Sequence, residues 1–445
     1  MPEWLIKDVQ VVNTDGVSTC DVLIRRGRFE QIAPSLSPPF RVTEIHGKGK
    51  FLFPGIIDLH VHFRTPGLTS KGDFTSEGRA ALAGGVTQVY DMPNTLPPIT
   101  SRNILAEKQR LAQQSSPLPI RSYIALTNNN ADECLRAIEE GSAAGIKVFL
   151  GSTTGNLLLT NFQALEKVMA NTVAPILVHS EDERIIRRQA SIVRGKYGSS
   201  PPFTVHPMIR PPEACIQSTQ FVVELGHQYR APLHILHLST ADEVGYLRNV
   251  KPNYPELTVE TCPQYLWFTD DDFATLQWRI KCNPAIKSST HRAALRQALR
   301  DGVIDTIGSD HAPHTLAEKQ QSYWKAPSGM PMVGHTFSVL FTLAKQGIIS
   351  VSDMATLLSY HPARRMGLAS VGAIREGYRA DCFLAIDQPY RVSRSNILYK
   401  CKWSPLEGTI LHGQVSHTWV NGRLMFHRTT STIDFTSCFT DSSLS

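Results

Sequence analysis

GIIDLHVHFRTPG, residues 55–67, begins as an apolar β-strand and then places His60, His62 and Arg64 at every second position. Side chains two apart on a strand point to the same face. Two imidazoles and a guanidinium would therefore be neighbours. Three basic groups side by side are hard to explain unless they bind something.

Eight apolar stretches of strand length follow one another along the chain. They span residues 53–63, 85–93, 120–126, 145–150, 174–180, 232–239, 257–262 and 303–310. Stretches with the helical period, such as 101–114 and 291–302, lie between them, which is typical of repeated βα units with a parallel sheet. The pattern predicts an α/β fold, a (β/α)₈ TIM-type barrel over residues 53–367. An open doubly wound sheet is the alternative that the pattern leaves open.

The two ends of the chain have a different sequence pattern from the middle. Residues 1–52 and 368–428 read as short alternating strands, with the Asn-Gly turn signal at 421–422. We expect both segments to pair into one small β-sandwich domain. Residues 429–445 are rich in Ser and Thr without clear periodicity and are interpreted as a polar tail.

Composition narrows the class of protein. The 445 residues carry a formal net charge of +6, but no run of lysines and arginines forms a basic arm, so nucleic acid is not expected as a partner. No stretch of about 18 apolar residues and no signal-peptide pattern occurs, so a membrane is not expected either. The eight cysteines show no CxxC spacing, which favours reduced thiols and a cytoplasmic protein.

Polar residues close several of the predicted strands. In a barrel of this kind, the C-terminal strand ends form the mouth where active sites lie. The residues that fall there are His60, His62, Lys147, His179, His237 and Asp310. Imidazole and carboxylate suit Zn²⁺, whereas an ammonium cannot bind a metal unless CO₂ converts the amine to a carbamate. The set therefore predicts a site for two divalent metals, with carboxylation of Lys147 as a hypothesis.

Each of these residues also has an ordinary structural interpretation. His60 and His62 could be a hydrogen-bonded structural pair, and His179 or His237 alone could be a satisfied core histidine. Lys147 alone could be a partly exposed lysine at a strand end. Their coincidence at one predicted mouth favours the metal site.

Longer motifs carry a resemblance to a known family. They are DLHVHFRTPG, AALAGGVTQVYDMPNTLPP, GIKVFLG, VHSED, HILHLST, NPAIKS and GSDHAPH. With them the chain resembles the metal-dependent amidohydrolases, within these the cyclic amidohydrolases, and most closely the dihydroorotase family. The resemblance extends over nearly the whole chain.

The resemblance implies a cofactor and a mechanism. His60, His62 and Asp310 would hold one zinc ion, His179 and His237 a second, and carboxylated Lys147 would bridge them. A hydroxide between the two metals would attack the amide carbon of the substrate. Asp310 would take its proton and pass it to the leaving ring nitrogen. The implied reaction is the reversible interconversion of N-carbamoyl-L-aspartate and L-dihydroorotate in pyrimidine biosynthesis, catalysed by a homo-oligomer, a dimer or a tetramer.

Four further positions match the family's substrate contacts. Arg64 and His314 would bind the substrate carboxylate together with Asn94, and Asn283 would meet the ring. Thr65 replaces the family's usual Asp, and Cys262-Pro-Gln-Tyr resembles hydantoinases. A hydantoinase or allantoinase is therefore the alternative enzyme, and a non-catalytic scaffold with this fold is the alternative from another class.

Overall fold

A computed structural model describes residues 3–39, 41–152, 157–429 and 432–436. Most of the predicted polar tail, 429–445, lies outside these described residues. Within the described part of that tail, Ile433–Phe435 form a β-strand. No helix in the described ranges is both long enough and apolar enough to cross a membrane.

The N-terminal segment forms five strands that begin a sheet. They are β1 (Trp4–Asn13), β2 (Gly16–Arg25), β3 (Arg28–Ala33), β4 (Thr43–His46) and β5 (Lys50–Pro54). β1 pairs with β2 antiparallel and with β5 parallel. Val9 and Val11 of β1 are buried on one face of this sheet, and Val12 is buried on the other face against the main core.

The middle of the chain forms the barrel. Its strands are β6 (Ile56–Val61), β7 (Val86–Asp91), β8 (Ile120–Ser122), β9 (Ile124–Ala125), β10 (Ile146–Phe149), β11 (Ile176–His179), β12 (Leu233–Ile235), β13 (Thr258–Thr261) and β14 (Thr306–Ile307). β8 and β9 are two parts of one interrupted strand, so the barrel has eight strand positions. All the pairs are parallel, and the His62 N–H donates to the His311 carbonyl at 2.8 Å to join the last position to the first. The (β/α)₈ prediction is confirmed, and the open sheet is wrong.

Helices follow the barrel strands and surround them. They are α1 (Phe74–Ala83), α2 (Arg102–Ser115), α3 (Ala131–Glu139), α4 (Phe162–Asn171), α5 (Glu183–Tyr197), α6 (His206–Ile209), α7 (Pro212–Gln228), α8 (Ala241–Val250), α9 (Pro263–Trp267), α10 (Phe273–Leu276), α11 (Ser289–Arg300), α12 (Leu316–Lys319), α13 (Thr336–Lys345), α14 (Val351–Ala355) and α15 (His361–Arg365). The predicted helices at 101–114 and 291–302 match α2 and α11 within two residues. Ser101 begins α2 by accepting a hydrogen bond from the Ile104 N–H.

The C-terminal segment completes the first sheet. Its strands are β15 (Cys382–Ile386), β16 (Tyr390–Arg391), β17 (Ile410–Leu411), β18 (Gln414–Val420), β19 (Arg423–Arg428) and β20 (Ile433–Phe435). β15 pairs antiparallel with β5, and β15, β18, β19 and β20 join β1–β5 in one nine-stranded sheet, whereas β16 and β17 form a separate two-stranded sheet. The predicted union of the two ends in a small β-domain beside the barrel is confirmed.

An aromatic cluster joins this sheet to the barrel. Phe53 on β5 stacks on Phe383 of β15 at a ring-centroid distance of 5.3 Å, and Phe337 of α13 meets both rings edge-on. Gly85, which precedes β7, lies against the same cluster with φ +83°. A Cβ at Gly85 would lie 2.8 Å from the Phe383 ring.

Gly85→Ala should destabilise the protein by about 2 to 5 kcal/mol, because alanine is strained at this φ and its methyl group overpacks the ring. Thermal unfolding of both proteins measures the difference. Gly49→Ala is the matched control, since Gly49 has φ +73° but nothing within 4 Å of the added Cβ. Its cost should be the backbone strain alone, about 1 to 2 kcal/mol. Equal losses for the two variants would contradict the packing argument.

Candidate metal centre

One cavity at the C-terminal mouth of the barrel collects most of the predicted site residues. Its volume is about 40 Å³. The residues predicted from the sequence that line it are His60, His62, Arg64, Asn94, Lys147, His179, His237, Asn283 and Asp310. His314 does not line it and lies behind Arg64.

His60, His62 and Asp310 form the first cluster of possible ligand atoms. Each of the two Nε2 atoms lies 3.2 Å from Asp310 Oδ1, and all three side chains are buried. Burial lowers the pKa of both imidazoles well below the usual value and raises that of the Asp310 carboxyl. The histidines are therefore neutral, as metal ligands must be.

His179 and His237 form the second cluster. His179 Nδ1 lies 2.8 Å from His237 Nε2, and His237 Nδ1 is buried without a hydrogen-bond partner among the described residues. Burial, followed by repulsion from His179, holds the pKa of His237 well below its ordinary value. His237 and Asp310 adopt positive φ angles of 40° and 45°, which are uncommon for such residues and typical of functional sites.

Acceptor groups behind the imidazoles determine which ring nitrogens face the cavity. Glu260 Oε1 lies 2.8 Å from His60 Nδ1, and Asn94 Oδ1 lies 2.7 Å from His62 Nδ1. Glu181 Oε2 lies 2.7 Å from His179 Nε2. These oxygens accept the ring N–H groups, so the opposite nitrogens direct lone pairs inward.

Glu260 and Glu181 are not among the residues predicted from the sequence. Glu260 is a carboxylate within the apolar strand β13, the same signal that singled out Lys147 on β10. Glu181 follows His179 by two residues and also contacts Arg210. Burial acts to raise the pKa of Glu181, but the Arg210 guanidinium and His179 lower it to about 2.

Lys147 lies among the same groups. It is 1% exposed, and among the described residues its ammonium has no hydrogen bond or ion pair. Its charge lowers the pKa of all four cavity histidines and of Asp310. Burial lowers the pKa of Lys147 to about 7, so the neutral amine is accessible near neutral pH.

The donor set fits a divalent metal. His60 Nε2, His62 Nε2 and Asp310 Oδ1 all lie within 4.8 Å of one another. Lone pairs on imidazole nitrogens and on a carboxylate repel one another when they face across a dry gap, and a cation between them removes that repulsion. The buried, unpartnered His237 Nδ1 and the close His179–His237 contact are consistent with inward-facing donors in the second cluster too.

A second group of potential ligand atoms shares His60. It consists of His60, Glu260 and Cys262. Burial raises the pKa of the Cys262 thiol well above its usual value, so this sulfur is protonated and a poor ligand. Glu260 already binds the Nδ1 side of His60, away from Asp310. This group therefore orients His60.

The position of Arg64 in the cavity does not follow from strand alternation. β6 ends at Val61, and Arg64 has φ +68°, outside the extended region. Contrary to the prediction, strand alternation therefore does not align Arg64 with His60 and His62, although Arg64 lines the same cavity. The side chain is 2% exposed, and its Nε donates to the Pro313 carbonyl at 3.0 Å.

The remaining predicted substrate residues differ in position. Asn283 lines the cavity, and its Oδ1 is buried without a hydrogen-bond partner among the described residues. His314 Nδ1 accepts from Lys71 Nζ at 3.3 Å, so its Nε2–H donates to the Ser328 carbonyl at 3.1 Å. The same Nε2 lies 3.2 Å from Arg64 Nη2. In this tautomer His314 Nε2 cannot accept a hydrogen bond from Arg64, so His314 packs beside Arg64, and its direct contact with substrate stays a prediction.

Comparison with known proteins agrees with the fold. A model of the amidohydrolase family matches residues 51–174 and 255–425, more than half of the chain. The chain belongs to the amidohydrolase family.

Several curated relatives of this chain are named dihydroorotase. A dihydroorotase from Methanosarcina acetivorans is 30% identical over 421 residues, which cover 92% of this chain and 89% of the relative. A dihydroorotase from Lactiplantibacillus plantarum is 30% identical over 96% of this chain and 99% of its own. One from Methanothermobacter thermautotrophicus is 32% identical over 84% of both chains.

Solved structures with the same fold include hydantoinases. The L-hydantoinase (dihydropyrimidinase) from Arthrobacter aurescens superposes with a TM-score of 0.90 at 25% identity and 96% coverage of both chains. The dihydropyrimidinase from Brevibacillus agri gives a TM-score of 0.88 at 23% identity and 95% coverage of both chains. These proteins share the barrel and the small β-sandwich domain.

Glu260→Gln should weaken metal binding by about 10- to 100-fold, because an amide is a weaker acceptor for the His60 Nδ1–H than a carboxylate. Metal content per chain after dialysis against graded chelator measures the effect. Glu256→Gln is the matched control, since Glu256 precedes the same strand and pairs with Arg230 at 3.0 Å. Unchanged metal retention in Glu260→Gln would contradict the role assigned to Glu260.

Proposed function

We propose that this protein is a dihydroorotase that interconverts N-carbamoyl-L-aspartate and L-dihydroorotate in pyrimidine biosynthesis, with two zinc ions as cofactor. The observation that carries the choice of substrate is Arg64. It is a buried guanidinium beside the metal donors and, among the described residues, has no ion pair of its own. The dihydroorotase relatives support the same choice.

A buried guanidinium without a counter-ion is costly unless a ligand supplies the negative charge. Dihydroorotate carries one carboxylate, and a guanidinium can bind it through two parallel hydrogen bonds. Hydantoin and allantoin lack that group. Arg64 therefore favours an acidic ring over a neutral one.

The roles of the other residues follow from their atoms. His60, His62 and Asp310 would hold one zinc ion and His179 and His237 the other. Zinc ions bound there would lower the pKa of water and polarise the amide carbonyl. Asn94 and Asn283 present amide groups to the cavity, and Asn283 Oδ1 is free to accept from a ring N–H.

Asp310 is the candidate for proton transfer. Its Oδ1 contacts both His60 and His62, which leaves Oδ2 as the oxygen that can take a proton. Burial raises the pKa of this carboxyl, so it binds a proton more readily than an exposed aspartate. Asp310 would accept the proton of the attacking water and return it to the ring nitrogen.

Lys147 is the candidate bridge between the two clusters. Its amine is buried among all five other ligand candidates and lacks a hydrogen-bond partner among the described residues. Reaction of the neutral amine with CO₂ would form a carbamate, with loss of one proton, and two oxygens would then replace one nitrogen as donors. Such a group would change Lys147 from a repulsive cation into an anionic ligand.

A hydantoinase is the second candidate. It is favoured by the structural likeness to the Arthrobacter aurescens L-hydantoinase and by the Cys262-Pro-Gln-Tyr motif after β13. Side-by-side assays of dihydroorotate, hydantoin and allantoin separate the two. Turnover of hydantoin or allantoin alone would replace the proposed function.

We also propose a cytoplasmic location. The seven cysteines of the described residues are all buried free thiols, which suits a reducing compartment. The homo-oligomer, a dimer or a tetramer, stays a prediction.

Arg64→Ala should lower kcat/KM for dihydroorotate at least about 30-fold, because the substrate carboxylate loses its buried partner. This loss corresponds to about 2 to 5 kcal/mol of transition-state stabilisation. Steady-state kinetics in both directions measure the loss. Arg300→Ala, an exposed arginine on α11, is the control and should leave the rate unchanged. A wild-type rate in Arg64→Ala would discard the carboxylate clamp.

Metal removal tests the Lys147 proposal. After chelator treatment, Zn²⁺ plus bicarbonate should restore activity, whereas Zn²⁺ in CO₂-free buffer should not, because the carbamate must form first. Lys147→Arg keeps a cation that does not form the carbamate, and it should stay inactive and metal-poor under both conditions. Full recovery without CO₂ would show that Lys147 acts unmodified.

A further inference from the structure

A buried ion pair lies next to the cavity and is not part of the ligand set. Lys108 on α2 and Asp91 at the end of β7 are both 0% exposed, with Nζ 2.7 Å from Oδ2. Lys108 Nζ also donates to the Met92 carbonyl at 2.8 Å. Both charges are fully desolvated, so each depends on the other for compensation.

Asp91 is connected to the strand end that carries the site. Its Oδ1 accepts a hydrogen bond from the Phe63 N–H at 2.8 Å. Phe63 lies between His62 and Arg64 in the chain. The carboxylate of Asp91 is therefore fixed beside the segment that delivers the guanidinium to the cavity.

The charge of Asp91 reaches Arg64. Asp91 Oδ1 holds the Phe63 N–H, one residue before Arg64, and both Asp91 and Arg64 are buried, so little solvent screens the carboxylate from the guanidinium. Nevertheless, Arg64 donates its Nε–H to a backbone carbonyl and has no ion pair among the described residues. The Asp91 carboxylate is instead paired with Lys108.

We propose that Lys108 is a specificity-determining residue: it neutralises Asp91, and Arg64 thereby keeps its charge for the carboxylate of the substrate. This inference rests on the proposed function, because it concerns how the same site selects an acidic ring. Lys108 does not touch the substrate. It acts through Asp91 on the potential at Arg64.

A purely structural role for the pair makes a different prediction. If Lys108 and Asp91 only hold α2 against β7, any change in either residue should disturb charged and neutral ligands alike. If the pair separates charges, losing Lys108 should harm only ligands that carry a carboxylate. Losing both charges together should restore the binding of ligands that carry a carboxylate.

The ligands for the test are orotate and uracil, planar rings that differ by one carboxylate and whose C5=C6 double bond distinguishes them from the saturated ring of dihydroorotate. Their dissociation constants are measured by calorimetry on the zinc-loaded full-length protein. In Lys108→Met the constant for orotate should rise at least tenfold, because the uncompensated Asp91 carboxylate pairs with Arg64. The constant for uracil should stay within twofold.

Two further variants complete the cycle. Asp91→Asn keeps an acceptor for the Phe63 N–H without the charge, and it should not raise the orotate-to-uracil ratio of dissociation constants. The double variant Lys108→Met/Asp91→Asn should return that ratio to within threefold of the wild type. If Lys108→Met does not fold, Asp91→Asn and the double variant still test the inference. A tenfold rise in the orotate-to-uracil ratio in either variant would overturn it.

Lys251→Met is the matched control. Lys251 and Asp305 form a similar pair, with Nζ 2.6 Å from Oδ2, at the opposite end of the barrel. The orotate-to-uracil ratio of dissociation constants for Lys251→Met should equal that of the wild type.

Equal weakening of both ligands in Lys108→Met, or no recovery in the double variant, would overturn the inference. Failure of the proposed function is a separate result, visible as a wild-type protein that does not turn over dihydroorotate.

Discussion

Acceptor atoms that face one another across a dry gap repel unless a cation lies between them, and the mouth of this barrel is organised around that constraint. Glu260, Asn94 and Glu181 each take a ring N–H from the far side of an imidazole. The inward nitrogens are consequently lone-pair donors, and Asp310 adds an anionic oxygen. The parallel strands bring all of these groups to one rim. The fold is therefore linked to the tautomers of the histidines and to the class of cofactor that they can bind.

Charge around the centre is arranged in layers. Donors line the cavity, carboxylates and amides lie behind them, and cations lie behind two of the outer carboxylates. Arg210 contacts Glu181 and Lys108 pairs with Asp91. Arg64 is the exception, with its guanidinium inside the cavity. This arrangement lowers the cost of many buried charges and leaves one of them for a ligand.

Much of the fold and part of the site could be predicted from the sequence. The strand pattern gave the barrel, and polar residues at strand ends gave the six ligand candidates. Arg64 was found for a wrong reason, since the chain leaves the strand at Val61 and a backbone turn redirects the side chain. Residues near a strand end do not obey alternation once φ becomes positive.

Other features needed tertiary information. Lys108 lies on a helix, where a lysine is usually solvated, and only the packing of α2 against β7 shows that it is fully buried. The hydrogen bonds of His314 are another such feature. Its motif predicts a substrate contact, which stays a prediction, and sequence spacing could not reveal that Lys71 and Ser328 contact its ring nitrogens.

The pairing of β5 with β15 has a consequence for biosynthesis. The two strands are separated by more than three hundred residues, with the entire barrel between them. At about 5–20 residues per second, the ribosome needs roughly 15 to 65 s to deliver the second strand after the first. During that interval β5 has an exposed edge, and the nascent chain must shield it until the carboxyl-terminal segment arrives.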